Sequence, residues 1–165
     1  MAIRRTQNIR HSKSKGVNIR DAVVQLIETN RMTDEWLKTV KLDSICTTLS
    51  VRVMPGTLYV SQSLAPSHEQ RSLGQRNVTY LSTYIVSLYY YHTPIGKVDI
   101  NEELVEVRDA LTEFLIEHSS LEGLCNMGVQ VHNARIKPIL HGQHFWNGVM
   151  MDLVVQVVMT RNRHR

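Results

Sequence analysis

Five of the chain's six tyrosines fall between Tyr80 and Tyr91, within the segment TYLSTYIVSLYYYHT. β-Branched and aromatic residues at this density favour a strand. At a period of two, one face carries Tyr80, Ser82, Tyr84, Val86, Leu88 and Tyr90, and the other carries Leu81, Thr83, Ile85, Ser87, Tyr89 and Tyr91. A sheet with one wet face alternates apolar and polar side chains, and this segment has no polar face. Helices of the same chain, stacked nucleic-acid bases or another subunit must cover its second side.

A chain of 165 residues, 42% hydrophobic, fits one domain that builds its core without disulfides or metal. No run approaches eighteen consecutive apolar residues, so no membrane contact is expected, and the N-terminus has no apolar stretch of the secretory kind. Cys46 and Cys125 form no CxxC and are expected to be buried free thiols in a reducing compartment.

Charge is concentrated at the ends. Residues 1–20 hold Arg4, Arg5, Arg10, Lys13, Lys15 and Arg20 without an acid, and the last five add Arg161, Arg163 and Arg165. All 15 acidic residues lie between Asp21 and Asp152, beside only 10 basic ones. The chain therefore reads as a flexible basic arm over 1–16, one mildly acidic domain over 17–160 and a basic tail over 161–165.

The pattern predicts an α+β domain: a mainly antiparallel sheet of about four to five strands packed with two main helices. The first helix has Asn18 as candidate N-cap and a stripe of Ile19, Val23, Leu26 and Ile27. A second start signal at Thr33 predicts a short helix carrying Trp36, Leu37 and Val40. Leu49, Val51 and Val53 alternate as a short strand would, and LYVS reads as another. From about Leu64 to Asn77 the chain is polar and reads as a long partner-contact loop, with His68, Glu69, Arg71 and Arg76 as candidate contacts. The clearest helix follows Asp99, which with Glu102 forms a capping-box pattern; Leu104, Val107, Leu111, Phe114 and Leu115 make its apolar face. Its outer face carries Glu102, Glu106, Asp109, Glu113 and Glu117, an acidic stripe that is either solvated or an acceptor for the basic arm. A strand through Val129 and Val131, an irregular link with Pro138 and Gly142, and a last strand with Val149, Met151, Leu153, Val155 and Val157 on one face complete the chain.

No catalytic residue, metal site or cofactor is expected. His141 and His144, with Cys125 or His132, lack the spacing of a zinc site, and no serine elbow or phosphate-binding glycine loop is present. An alternative reading is a nonspecific nucleic-acid-binding module acting through its basic tails. Residues 77–96 carry no lysine or arginine, however, whereas a base-stacking sheet interleaves aromatics with cations.

The helix IRDAVVQLI, a short strand ending VRVMPGT, a long polar loop, the long tyrosine strand, the helix NEELVEVRDALTEFL and two strands ending MMDLVVQVV resemble the tail terminator and tail-completion proteins at the neck of long-tailed bacteriophages. The resemblance covers roughly residues 17–160 and lies in element order and hydrophobic texture. It implies a non-catalytic virion protein, assembled in the host cytoplasm, whose subunits form a homohexameric ring. Such a ring caps the tail tube and joins it to the head connector, with DNA passing through the lumen. It also implies that one side of the tyrosine strand is covered by a neighbouring subunit, through Tyr84, Val86, Leu88 and Tyr90 or through the opposite set with Ile85, Tyr89 and Tyr91. The arm residues Arg4, Arg5, Arg10, Lys13 and Lys15 would then meet either DNA or an acidic protein surface. A stopper or head-completion ring is the nearest neighbouring role.

Overall fold

The computed structural model describes residues 15–62, 67–73, 77–95, 101–121 and 128–162. The described elements, in chain order, are α1 (Lys15–Asn30), a 3₁₀ turn (Leu37–Thr39), β1 (Ser44–Cys46), β2 (Thr57–Gln62), β3 (Ser67–Leu73), β4 (Asn77–Pro94), α2 (Asn101–Glu117), β5 (Val129–His141) and β6 (His144–Asn162). The chain is α+β, and its described residues form two α-helices and a six-stranded mixed sheet ordered β1-β2-β4-β6-β5, β3 pairing beside β2 along the same edge of β4. Every pairing is antiparallel except β1 with β2. Among the described residues, regular structure runs from Lys15 to Asn162, and Asn18 lies inside α1 rather than at its cap.

The tyrosine strand is the spine of the sheet. β6 pairs with it from Asn77↔Asn162 to Pro94↔Trp146, while β3 and then β2 occupy its other edge. Both helices lie on one side. Ile19, Val23, Leu26 and Ile27 of α1, and Leu104, Val107, Leu111, Phe114 and Leu115 of α2, are all buried in one cluster with Val86, Leu88, Tyr90, Met151 and Leu153. The apolar positions recur every three or four residues, so each helix lays one stripe on the pleated surface. Burying each such side chain contributes about 1.5–3 kcal/mol.

Four local expectations are corrected. Leu49, Val51 and Val53 belong to no strand; β1 instead lies at Ser44–Cys46, where Gly56 turns the chain back. Gly56 has φ +84°, and a Cβ there would meet Lys41 O at 2.8 Å, so only glycine fits this approach. The polar stretch read as a long loop contains β3, because edge pairing needs backbone groups and not apolar side chains. Pro138 does not break the chain: it sits inside β5, whose outer edge pairs with no strand among the described residues, where its missing N–H costs no ladder bond. The helix expected after Thr33 is only a 3₁₀ turn, its start capped by Asp34 Oδ1, which accepts the N–H groups of Trp36 (2.9 Å) and Leu37 (3.1 Å). The Asp99 cap and Gly123 lie outside the described residues.

Candidate assembly interface

The two sides of β4 separate the candidate interface residues. Tyr84, Val86, Leu88 and Tyr90 face the helices and are at most 7% exposed. As subunit-interface candidates these four are corrected: their own helices already occupy the side they face. Tyr90 is held further by its hydroxyl, which donates to Lys41 O at 2.9 Å. Burial, and then the carboxylates of Asp43 and Glu103, push that phenol up to about 12.

Among the described residues, the opposite side is covered only in part, by the segment between β1 and β2. Val53 of that segment packs with Tyr91, Ile139 and Trp146 in a second small cluster, against which Leu49, Tyr59, Tyr89 and Met150 rest. We call this side the loop face. Tyr91 meets Trp146 edge to face at 6.0 Å, and Tyr59 stacks on Tyr89 at 5.7 Å. Burial, then the neighbouring Tyr89, Tyr59 and Cys46, push Tyr91 up to about 12. His141 ties the segment down: its Nε2 lies 3.1 Å from Ser50 O and 3.2 Å from Val51 O, and two carbonyl acceptors require that nitrogen to carry the proton. Gly148 makes the packing possible, since a Cβ there would collide with the Ile139 side chain and with Tyr90 O.

Beyond this segment no other described segment covers the loop face. Ile85 is 40% exposed, and Val154, its partner on β6, is half-buried. The polar insertion is satisfied: Asp152 accepts Ser87 Oγ at 2.8 Å and Asn133 Nδ2 at 3.3 Å. Toward the β5–β6 turn the face ends in a cleft of about 410 Å³ whose walls include Val51, Met54, His141 and Trp146. Val51 is 96% exposed and Met54 is also exposed. On the helix-bearing side of the same end, the paired residues Leu140 and Phe145 are exposed next to Ile95, whose N–H donates to Phe145 O at 3.0 Å. Sequence reasoning missed Val51, Met54, Leu140 and Phe145: Val51 is read into a strand, and Leu140 and Phe145 fall in the stretch read as an irregular link around Pro138 and Gly142.

The remaining candidates are dispersed. His68 lies on β3, its Nδ1 bonded to Ser82 Oγ at 2.7 Å and its ring edge-on to Tyr84, so it braces the sheet. Glu69 is exposed on the same strand, which also contains Arg71; Arg76 lies outside the described residues. So do Arg4, Arg5, Arg10 and Lys13, while Lys15 opens α1. Glu102, Glu106, Asp109, Glu113 and Glu117 are all exposed along α2. Asp109 accepts Arg108 Nε at 2.9 Å, and Glu117 accepts Trp36 Nε1 at 3.0 Å. Cys46 is a half-buried free thiol pushed up by burial, partly offset by a backbone hydrogen bond at Thr48; Cys125 lies outside the described residues.

The expected segregation of aromatics from cations holds along the strand but not across the sheet. Register sets Arg135 beside Met150 and Tyr89, and Lys137 beside Gly148 and Tyr91, all on the loop face. Among the described residues, Asp34, Glu117 and His118 are the one trio whose potential metal-ligand atoms lie within 4.8 Å of one another. Asp34 and Glu117 already accept hydrogen bonds from the segment around Trp36, so the trio joins that segment to the end of α2. Among the described residues no helix is long and apolar enough to cross a membrane. No protein-family model matches the chain, and no curated protein matches it in sequence.

Proposed function

We propose that this chain is a structural subunit that works by assembling with copies of itself, as a ring at the neck of a long-tailed bacteriophage that caps the tail tube and joins it to the head connector. The observation that carries the self-assembly reading is the loop face, where apolar side chains of the two central strands, Ile85, Tyr89, Met150 and Val154, are not fully buried. An apolar strip with few charges at its centre is the composition of an interface core.

The β5 and β1 edges favour a face contact over strand addition. β5 carries Pro138, an irregular register between His132 and Arg135, and Asn133 at φ 55°, with Arg135 and Lys137 alongside; β1 is only three residues long. Such edges resist pairing with another strand. The tail-and-head role itself rests on the resemblance in element order, and a closed ring follows when one heterologous contact repeats through a rotation that closes.

The test is the mass of the purified protein by light scattering, with negative-stain imaging. Wild-type protein is expected as a ring, and Ile85→Asp as folded protein of lower mass. A wild-type protein at subunit mass across the accessible concentration range would refute self-assembly.

A further inference from the structure

Two exposed apolar surfaces lie back to back at the β5–β6 end of the sheet. On the helix-bearing side, Leu140 and Phe145 are directly opposed across the hairpin and Ile95 adjoins them. Their period places them in line with the core residues Ile136 and Val149, but they lie further toward the turn and are exposed. On the loop side, Val51 and Met54 line the cleft above Trp146. Solvation of so much clustered apolar surface is unfavourable, and a patch of this kind marks an interaction site.

The charges around the two surfaces are opposite. Glu103, bound to His92 at 2.6 Å, and Glu102 stand exposed at the start of α2, on the side of the Ile95 row. Arg52 forms part of the cleft wall, and Lys137 lies on the same loop face. Opposite charge at the rim of two apolar surfaces orients their encounter and disfavours like-to-like docking.

We propose that these two surfaces belong to one heterologous contact: the Ile95, Leu140 and Phe145 row of one copy seats in the Val51, Met54 and Trp146 cleft of the next. The inference rests on the self-assembly reading and specifies which surfaces meet. Each copy keeps one row and one cleft, so the contact repeats from subunit to subunit and closes into a ring when the rotation allows.

Two single variants test this by complementation. Val51→Asp spoils the cleft and keeps the row; Phe145→Asp spoils the row and keeps the cleft. Their positions are 96% and 52% exposed, so both variants are expected to fold, checked by circular dichroism and thermal midpoint. Each alone is expected at subunit mass, and an equimolar mixture at twice that mass and no higher, because only one intact row and one intact cleft remain to meet. If either variant unfolds, Arg52→Glu and Glu102→Arg replace the pair: each raises the midpoint concentration for assembly, and the double variant restores it. A mixture that stays at subunit mass, or single variants that assemble like wild type, overturns the contact. When wild type assembles and only Ile85→Asp dissociates it, this contact fails while self-assembly stands; when wild type is itself monomeric, both fail.

Discussion

On the helix-bearing face of β4, Val86, Leu88 and Tyr90 are at most 1% exposed, whereas Ile85, between Tyr84 and Val86 on the opposite face, is 40% exposed. The two faces are built from the same kinds of residue. Their difference comes from what crosses above them: two amphipathic helices on one side, and on the other a short segment that reaches only as far as Tyr89 and Met150. Burial of a strand residue is therefore a property of the layer above it, and side-chain type only makes burial favourable. The helix face holds the fold together, while the loop face retains apolar surface available for association.

The comparison breaks most readily under truncation. Leu88→Ala removes a fully packed side chain and leaves a cavity, with an expected loss of about 3 kcal/mol; Ile85→Ala should lose less than about 1 kcal/mol from the isolated subunit. Urea denaturation at concentrations that dissociate the assembly measures both. Equal losses would mean that the loop face is packed within the subunit and has no surface to offer.

The same contrast explains what the sequence made legible. The stripes of α1 and α2 were readable because a period near 3.6 across four or five turns has one interpretation, and the buried face of β6 through Val149, Met151 and Leu153 was readable for the analogous reason at period two. Which side of β4 the helices would choose was not, since both sides of the strand offer them Tyr, Val, Ile or Leu. Alternation misled at Leu49, Val51 and Val53: only Val53 is buried, and Val51 projects into solvent because no described strand pairs with that segment. In β3 the opposite occurred. Ser67, His68, Glu69 and Gln70 have no strand-like pattern, yet they pair with Thr83 to Tyr80 because the edge of β4 supplies backbone partners. Leu140 and Phe145 continue the buried period of their strands into solvent, and local sequence does not record where a helix layer stops.

A smaller effect sharpens the comparison through pH. Tyr90 on the helix face and Tyr91 on the loop face are both pushed up to about 12 from an ordinary value of 10. The folded protein thus keeps phenolic protons that the unfolded chain releases. Their contribution to stability is complete below pH 10 and is lost as pH rises through 12. Tyr90→Phe also removes the hydrogen bond to Lys41 O and is expected to cost about 1 kcal/mol at pH 7. It should, however, lose stability less steeply than wild type between pH 10 and 12, since one of the two titrations is gone. Urea midpoints at pH 7, 10 and 11.5 report both effects. An unchanged alkaline slope would place the Tyr90 phenol in contact with solvent and weaken the distinction between the faces.

The smallest effect concerns the outer side of α2, which neither face of the sheet touches. Glu113 stands four residues from both Asp109 and Glu117, all three exposed, so two like-charge neighbours oppose it. Neutralising it as Glu113→Gln should stabilise the isolated subunit by about 0.3 kcal/mol at low ionic strength, because repulsion at this spacing amounts to a few tenths of a kcal/mol per pair. The gain should disappear in molar salt, where charges are screened within about 3 Å. Thermal melts at two salt concentrations resolve the sign. A loss at low salt in place of the gain would mean that cations already rest on the stripe, and the chain's own Arg4, Arg5, Arg10 and Lys13 would be the first to test, by deleting residues 2–14 and repeating the melt. If the deletion abolishes the loss, the acidic stripe is a docking surface for the basic arm; if the loss persists, the cations come from the folded domain itself.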